Sequence, residues 1–434
     1  ELTLRQRGVN APLMVVRGDG SLVSAAFVRE RPIETILSGP AASLVGAAHL
    51  TGVSDAMISD IGGTTTDIAV LRNGLPIISA DGASVGGHQT MVSAVAMRTH
   101  GLGGDSHVRH DERAAGAVVR LGPRKVIPLC QLAVEHAAQI HAMLDQQLTN
   151  ALPGELDGMV LVAENYEEKR AALEGVERTV LDAMGGRICA AATALSTLQL
   201  RRVMERLVQR GVLQLAAFTP TDAAHVLGMQ AMYDTVAARK AAELFARHRD
   251  RLGRAIAVDA TTMSQFVIDA LIRRSAEAVL AAAFVHDGLP PEAVDQRVVQ
   301  VALNRGFEVA AATVGLQLPL IGLGASAPAY YPLVAAMLGG LAPDVPMFAL
   351  VLFSTRLVGI PQHEVFGDLF YSDSWQAVFA VDHSFFVWGL LLALGQWRRY
   401  LILTAFAGAG FLHAATDFVT HHDDARRQFW PVSD

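Results

Sequence analysis

The run Ser59-Asp60-Ile61-Gly62-Gly63-Thr64-Thr65-Thr66-Asp67-Ile68-Ala69-Val70 holds the residue types that phosphate chemistry needs. An apolar stretch delivers the Asp60 carboxylate. Gly62 and Gly63 let the backbone turn and let a ligand come close to it. Thr64, Thr65 and Thr66 add hydroxyls, and consecutive N–H groups in such a turn can form an anion nest. Asp67 then opens a second apolar stretch. The spacing predicts a strand–glycine turn–strand hairpin that grips phosphates, with Asp60 near a metal or an attacking water and Asp67 as the second carboxylate. A plain hairpin explains the glycines but rarely brings both aspartates and the threonines with them.

Two further groups could hold metal. His100, Asp105 and His107 flank Gly101-Leu102-Gly103-Gly104, and imidazole with carboxylate suits a divalent ion. The bland alternative is a polar surface loop. Near the end of the chain, His413, Asp417 and His421 stand at i, i+4 and i+8, which is one face of a helix. A hairpin of apolar segments turning near Arg398 would bring His383 to the same end. That set would suit Zn²⁺ or Mn²⁺. Its bland alternative is a polar helix cap at an interface.

The elements that must position these groups follow from composition. The chain has 434 residues, 51% hydrophobic and 18% charged, with a net charge of −7. So apolar a chain is not disordered over most of its length, and it shows no basic surface for nucleic acid. Cys130 and Cys189 make neither a disulfide framework nor a metal motif. Residues 1–130 read as an α/β phosphate-loop lobe, with strands at MVV, AMISDIGGTTTDIAVL and LPIIS. Residues 131–285 carry long Ala/Leu/Glu/Arg runs and read as a helical insertion. Residues 286–338 return to the lobe through the apolar LQLPLIGLG. Beyond 338, His383–Trp397 and Tyr400–Thr416 contain no Asp, Glu, Lys or Arg. Both lie at the short end of the roughly 20 residues of a span. The expectation for 339–434 is an apolar helical segment touching a membrane through 345–416.

DIGGTTTDIAVL, the upstream ILSGPAASLVGAAHL, TPTDAAHVLG and PLIGLGASAPAYYP together resemble the hydantoinase A/5-oxoprolinase family. The resemblance runs over about 1–338. It implies an actin/hexokinase/Hsp70-type ATPase fold that uses ATP and Mg²⁺. By the same resemblance Asp60, Gly62, Gly63, Thr64, Thr65 and Asp67 form the second phosphate loop. Ser38, Gly39 and Pro40 match the turn before the connecting helix. Gly322, Gly324, Ala325 and Ser326 match the adenosine-side loop. The implied reaction opens a cyclic amide or imide, with a hydantoinase B-type subunit as partner and a cytoplasmic location for 1–338. The family also carries an earlier Asp-x-Gly-Gly-Thr loop, whereas this chain has one. The expected fold is therefore half of the ATPase fold, with Mg-ATP affinity weaker than micromolar.

The last part, with GGLAPDVPMF, VFGDLFYSDSWQAVFAVDHSF and FLHAATDFVTHHDDARRQFWPVSD, resembles a small bacterial inner-membrane protein often mislabelled a cobalamin-biosynthesis protein. More distantly it resembles membrane-bound metal-dependent hydrolases. The two resemblances meet at 335–340, which reads as a fusion or a gene fragment. An inner-membrane protein with a His/Asp metal site is thus the second functional reading. A kinase or other ATPase of the same superfamily is the third, and ILSGPAASLVGAAHL argues against it.

Overall fold

Short apolar runs punctuated by glycine become strands, and Ala/Leu-rich runs become helices. The computed structural model describes residues 2–9, 11–80, 82–85, 88–304 and 314–338. All of these except Leu338 fall in one compact unit, Glu1–Met337. It begins with α1 (Leu2–Gln6), β1 (Met14–Val16), β2 (Leu22–Ser24), α2 (Ala25–Glu30) and α3 (Ser38–Thr51). β3 (Ala56–Ile61) and β4 (Thr66–Arg72) form the antiparallel hairpin that the sequence predicts. β5 (Leu75–Pro76), β6 (Ser84–Val85), β7 (His88–Gln89) and β8 (Met97–His100) follow. A second hairpin joins β9 (Ser106–His110) to β10 (Val119–Lys125), and β11 (Ile127–Pro128) leads into α4 (Leu129–Leu148).

Next come β12 (Val160–Val162), α5 (Tyr166–Ala172), α6 (Gly175–Met184), β13 (Ile188–Ala190), α7 (Ala191–Ala194), α8 (Leu198–Gln209) and β14 (Gln214–Ala217). The chain then returns through α9 (Pro220–Val226), α10 (Thr235–Ala246), α11 (Ala260–His286) and α12 (Arg297–Leu303) to β15 (Leu320–Leu323) and α13 (Ala327–Met337).

The main sheet has the order β15-β3-β4-β5, with β8 also paired to β4. Strand alternation gives it two different faces. Ile58, Ala69 and Leu71 point to one face and bury Ala41, Leu44 and Ala47 of α3. Ser59 points to the other face and meets the Tyr331 hydroxyl of α13. The layout is mixed α/β with helices on both faces of the sheet. β15 lies parallel to β3, so the stretch after 286 does rejoin the first lobe.

The segment 131–285 is not the helical insertion that its composition suggests. β12, β13 and β14, together with β11, form a four-stranded sheet in the order β11-β14-β12-β13. VLV, ICA and QLAA are three or four residues long, too short to display a period of two against helix-rich flanks. They pair because their side chains share one core, with Leu161, Cys189, Leu215 and Ala217 against Val180, Leu181 and Leu207 of α6 and α8. Only α9, α10 and α11 make an all-helical layer after this small α/β unit.

Asp222 ties the start of α9 to the start of α4. It is fully buried. Its carboxylate accepts from Cys130 N–H at 2.7 Å, Thr219 N–H at 2.9 Å and the Thr219 hydroxyl at 2.7 Å. Thr219 caps α9 in return, which completes a capping box. Desolvation pushes the Asp222 carboxyl above its usual range, against the pull of these donors.

Among the described residues no helix is long and apolar enough to cross a membrane. The apolar segment 339–434, its membrane contact through 345–416, and the His383, His413, Asp417 and His421 set lie outside the described residues.

Asp222→Ala removes the partner of several buried donors at once. It should lower unfolding free energy by about 3 kcal/mol or more, measured by urea titration of the full chain, with Asp222→Asn intermediate. A loss below about 1 kcal/mol would show that the donors find other acceptors.

Candidate functional site

β3 and β15 run parallel with Leu323 beside Asp60, so both strands finish at one end of the main sheet. Four chain segments meet there. The first is the turn from Gly62 to Thr65, closed by the Gly62 N–H donating to the Thr65 carbonyl at 2.9 Å. The hairpin register sets Asp60 opposite Asp67 and Ile61 opposite Thr66.

The second segment, Gly101–Ser106, lies directly on this turn. The Gly104 N–H donates to the Gly62 carbonyl at 3.1 Å, and the Asp105 N–H to the Gly63 carbonyl at 2.8 Å. The Thr66 hydroxyl donates to the Leu102 carbonyl at 2.7 Å. Glycine is required for this approach. A β-carbon on Gly103 would lie 2.5 Å from the carbonyl oxygens of both Gly62 and Gly63. One on Gly63 would lie 2.3 Å from the Asp105 carboxylate.

The third segment is the start of α9. Thr221 donates its N–H and its hydroxyl to the Gly104 carbonyl, at 2.8 and 2.9 Å. The fourth is the turn after β15. Gly324 has φ +106°, and a β-carbon there would sit 2.1 Å from the Ile61 carbonyl oxygen and 3.4 Å from Asp60 Oδ1. Ser326 is hydrogen-bonded to Tyr330, whose hydroxyl burial pushes up to about 12. Ala325 is exposed beside it.

Several groups at this junction are left over. The N–H groups of Gly63 and Thr64 and the hydroxyls of Thr64 and Thr65 have no partner among the described residues. The Asp60 carboxylate likewise accepts no hydrogen bond from them, while Asp67 accepts from the Thr99 hydroxyl at 2.6 Å. Two carboxylates directly across a strand pair repel, so the arrangement favours a cation. Oxygen donors of this kind suit Mg²⁺.

Ser38 and Gly39 are not in a turn before the helix: with Pro40 they form the first turn of α3, after Leu37 in the left-handed region. Proline is tolerated in a first turn because its missing N–H would be unpaired there anyway. α3 packs on the sheet face that carries Asp60 and Asp67, and the chain reverses at 52–55 to enter β3. The α3 N-terminus therefore lies toward the end of the sheet where β3 finishes, a position that favours negative charge.

His100, Asp105 and His107 do not gather as a metal set, and among the described residues no group of three or more His, Cys, Asp or Glu side chains does. His100 is on β8 of the main sheet, whereas His107 is on β9 of a separate hairpin. Asp105 points to Gly63, Thr221 and Lys125, the last at 3.6 Å. Burial holds its carboxyl above the usual range despite Lys125. The sequence reading missed Thr221, Tyr330 and Tyr331 as parts of the site. The signal available was their place inside TPTDAAHVLG and PLIGLGASAPAYYP.

A family model described as hydantoinase/oxoprolinase matches residues 1–129, the stretch that holds α3, the Gly62–Thr65 turn and the Gly101–Ser106 loop. No curated protein matches the chain in sequence. A solved nucleotide-free acetone carboxylase, from work on ATP-dependent acetone carboxylation, is similar at 18% identity and a TM-score of 0.37. That likeness covers 67% of this chain, which spans only 30% of that protein's length.

Two outcomes follow from this geometry. Gly103→Ala and Gly324→Ala should each cost about 2–3 kcal/mol by overpacking against backbone, with strain added at Gly324. Gly39→Ala, with open space around its β-carbon, should stay within about 0.5 kcal/mol. Denaturant titration distinguishes them, and equal effects would refute the stacked turn.

The second outcome concerns His107, which is buried and held neutral, its pKa lowered by desolvation from 6.5 to about 4. Between those values the unfolded chain binds the proton and the folded chain does not. Stability from this group is therefore full above 6.5 and is lost as pH falls toward 4, by about 3 kcal/mol. His107→Gln should flatten that part of the acid limb. An unchanged slope between pH 6.5 and 4 would contradict it.

Proposed function

We propose that this chain supplies the phosphate-gripping lobe of an ATP-dependent hydrolase that opens a cyclic amide or imide ring. The observation that supports this most is the group of unpartnered donors at Gly63, Thr64 and Thr65 beside the unpartnered Asp60 carboxylate. Donors already fixed by a rigid turn stabilise phosphate charge without reorganising. The hydantoinase/oxoprolinase match over 1–129 covers that turn.

In this reading the Gly63 and Thr64 N–H groups and the Thr64 and Thr65 hydroxyls bind phosphate oxygens. Gly322, Gly324, Ala325 and Ser326 border the adenosine side. Asp60 and Asp67, with the Thr64 hydroxyl, would hold Mg²⁺, which when bound neutralises charge on the phosphates. Asp60 also orients the water that attacks the ring carbon. An amide carbonyl alone is a poor electrophile; phosphoryl transfer from ATP to its oxygen activates the carbon, water adds there, the ring C–N bond breaks as the nitrogen takes a proton and leaves, and a second water hydrolyses the resulting acyl phosphate to carboxylate and phosphate. A hydantoinase B-type subunit is the proposed partner, and the α3 N-terminus adds a favourable field for anionic groups.

Mg-ATP binding by calorimetry and phosphate release, with and without succinimide or 2-pyrrolidinone, test this on the full chain. Ring-dependent release should fall by about 100-fold in Asp60→Ala, with Mg-ATP binding weakened and the fold retained. If neither ring compound raises release, the substrate class is wrong. If Asp60→Ala binds and releases as the unaltered chain does, the site is wrong.

A further inference from the structure

A second cleft, about 720 Å³, opens between the β9–β10 hairpin and α8. Its floor is apolar, with Met159, Met204 and Leu215. Its walls carry Arg109, Arg124 and Arg201 against Glu155 and Glu205. The pairing is uneven. Arg124 is closed by a two-armed bond to Glu205. Arg201 reaches Glu155 through Nη1 alone, and its Nε is buried with no acceptor among the described residues. Among the described residues Arg109 donates only to the Gly122 carbonyl, through Nη2 at 2.6 Å.

Three guanidinium groups thus face two carboxylates, and the surplus is in donors rather than acceptors. His107, the remaining ionisable group of the wall, is buried and neutral. A buried N–H without an acceptor is costly, and a carboxylate meets a guanidinium fork with two charge-assisted bonds. Inorganic phosphate would satisfy the donors but leave the methionine and leucine floor against a fully hydrated ion. A carboxylate with a short apolar body satisfies both.

We propose that this cleft is a binding site for a small monocarboxylate, its acid group held by Arg201 and Arg109 and its apolar body lying on Met159, Met204 and Leu215. The site is separate from the phosphate turn, but one strand joins them. His107 and Arg109 in the cleft stand at alternate positions of β9, and Asp105, against Gly63, directly precedes that strand. The proposal rests on the cleft alone and holds whether or not the phosphate turn serves the hydrolase proposed above.

The test uses the full chain with ¹³C-labelled methionine methyl groups. 4-Methylpentanoate is titrated against its neutral counterpart, 4-methylpentanamide, and against inorganic phosphate. The acid should shift the Met159 and Met204 methyl signals saturably, and the amide should bind at least about tenfold more weakly. Arg201→Gln should weaken the acid by about tenfold and leave the amide unchanged. Arg109→Gln, at an exposed position, provides the same comparison should Arg201→Gln unfold. Equal binding of acid and amide, shifts at other methionines only, no shift at all, or acid binding that survives both substitutions would each overturn the proposal. Phosphate shifting both signals as strongly as the acid would also overturn it, since the floor would then play no part.

Discussion

The site depends on backbone lying against backbone. Two N–H groups of the Gly101–Ser106 loop reach the carbonyls of Gly62 and Gly63, and this is possible only because Gly63 and Gly103 have no side chain in between. That contact occupies the carbonyls of Gly62 and Gly63, while the N–H groups of Gly63 and Thr64 have no partner among the described residues. A turn so backed is held in place with donors to spare. Either property without the other would make a poor anion cradle: a flexible nest pays ordering cost, and a rigid turn with inward donors offers nothing to bind.

The remaining architecture holds this contact in place from three directions. The β3–β4 register fixes the turn and opposes Asp60 to Asp67. β15 brings Gly324 against Ile61 from the far end of the chain, and Tyr331 meets Ser59 on the opposite sheet face. Thr221 takes the carbonyl of Gly104, and one residue later Asp222 gathers donors from α4 and its own cap. α9 is therefore tied both to the Gly101–Ser106 loop and to the start of α4 through a two-residue step. Its buried polar anchor is stabilising only while every donor is answered.

Charge is distributed differently in the two concave regions of this unit. At the Gly62–Thr65 turn, unpartnered N–H groups and hydroxyls lie close in the chain to the Asp60 and Asp67 pair. In the β9–α8 cleft, fixed guanidinium groups exceed the carboxylates that pair them. The two regions meet at the β9–β10 hairpin but share no side chain: Asp105 and Lys125 belong to the first, and the neighbouring His107 and Arg124 to the second.

The sequence by itself determined the hairpin, its turn and the strand that rejoins it. Each of these is a local pattern: an apolar run, a glycine pair, an aspartate at a fixed offset. α3 was expected only through the family resemblance, and its first turn begins at Ser38, sooner than that resemblance placed it. What sequence could not supply was contact between segments far apart in the chain. The stacking of 103–105 on 62–63 and the approach of Gly324 to Ile61 are backbone meetings, which leave no residue code except glycine. The short strands at 160–162, 188–190 and 214–217 are strands only because they pair with one another and share a core. His100 and His107 looked like partners by proximity in the sequence. The tertiary structure assigned them to different sheets, because a strand boundary falls between them and each strand follows its own hydrogen-bonding neighbours.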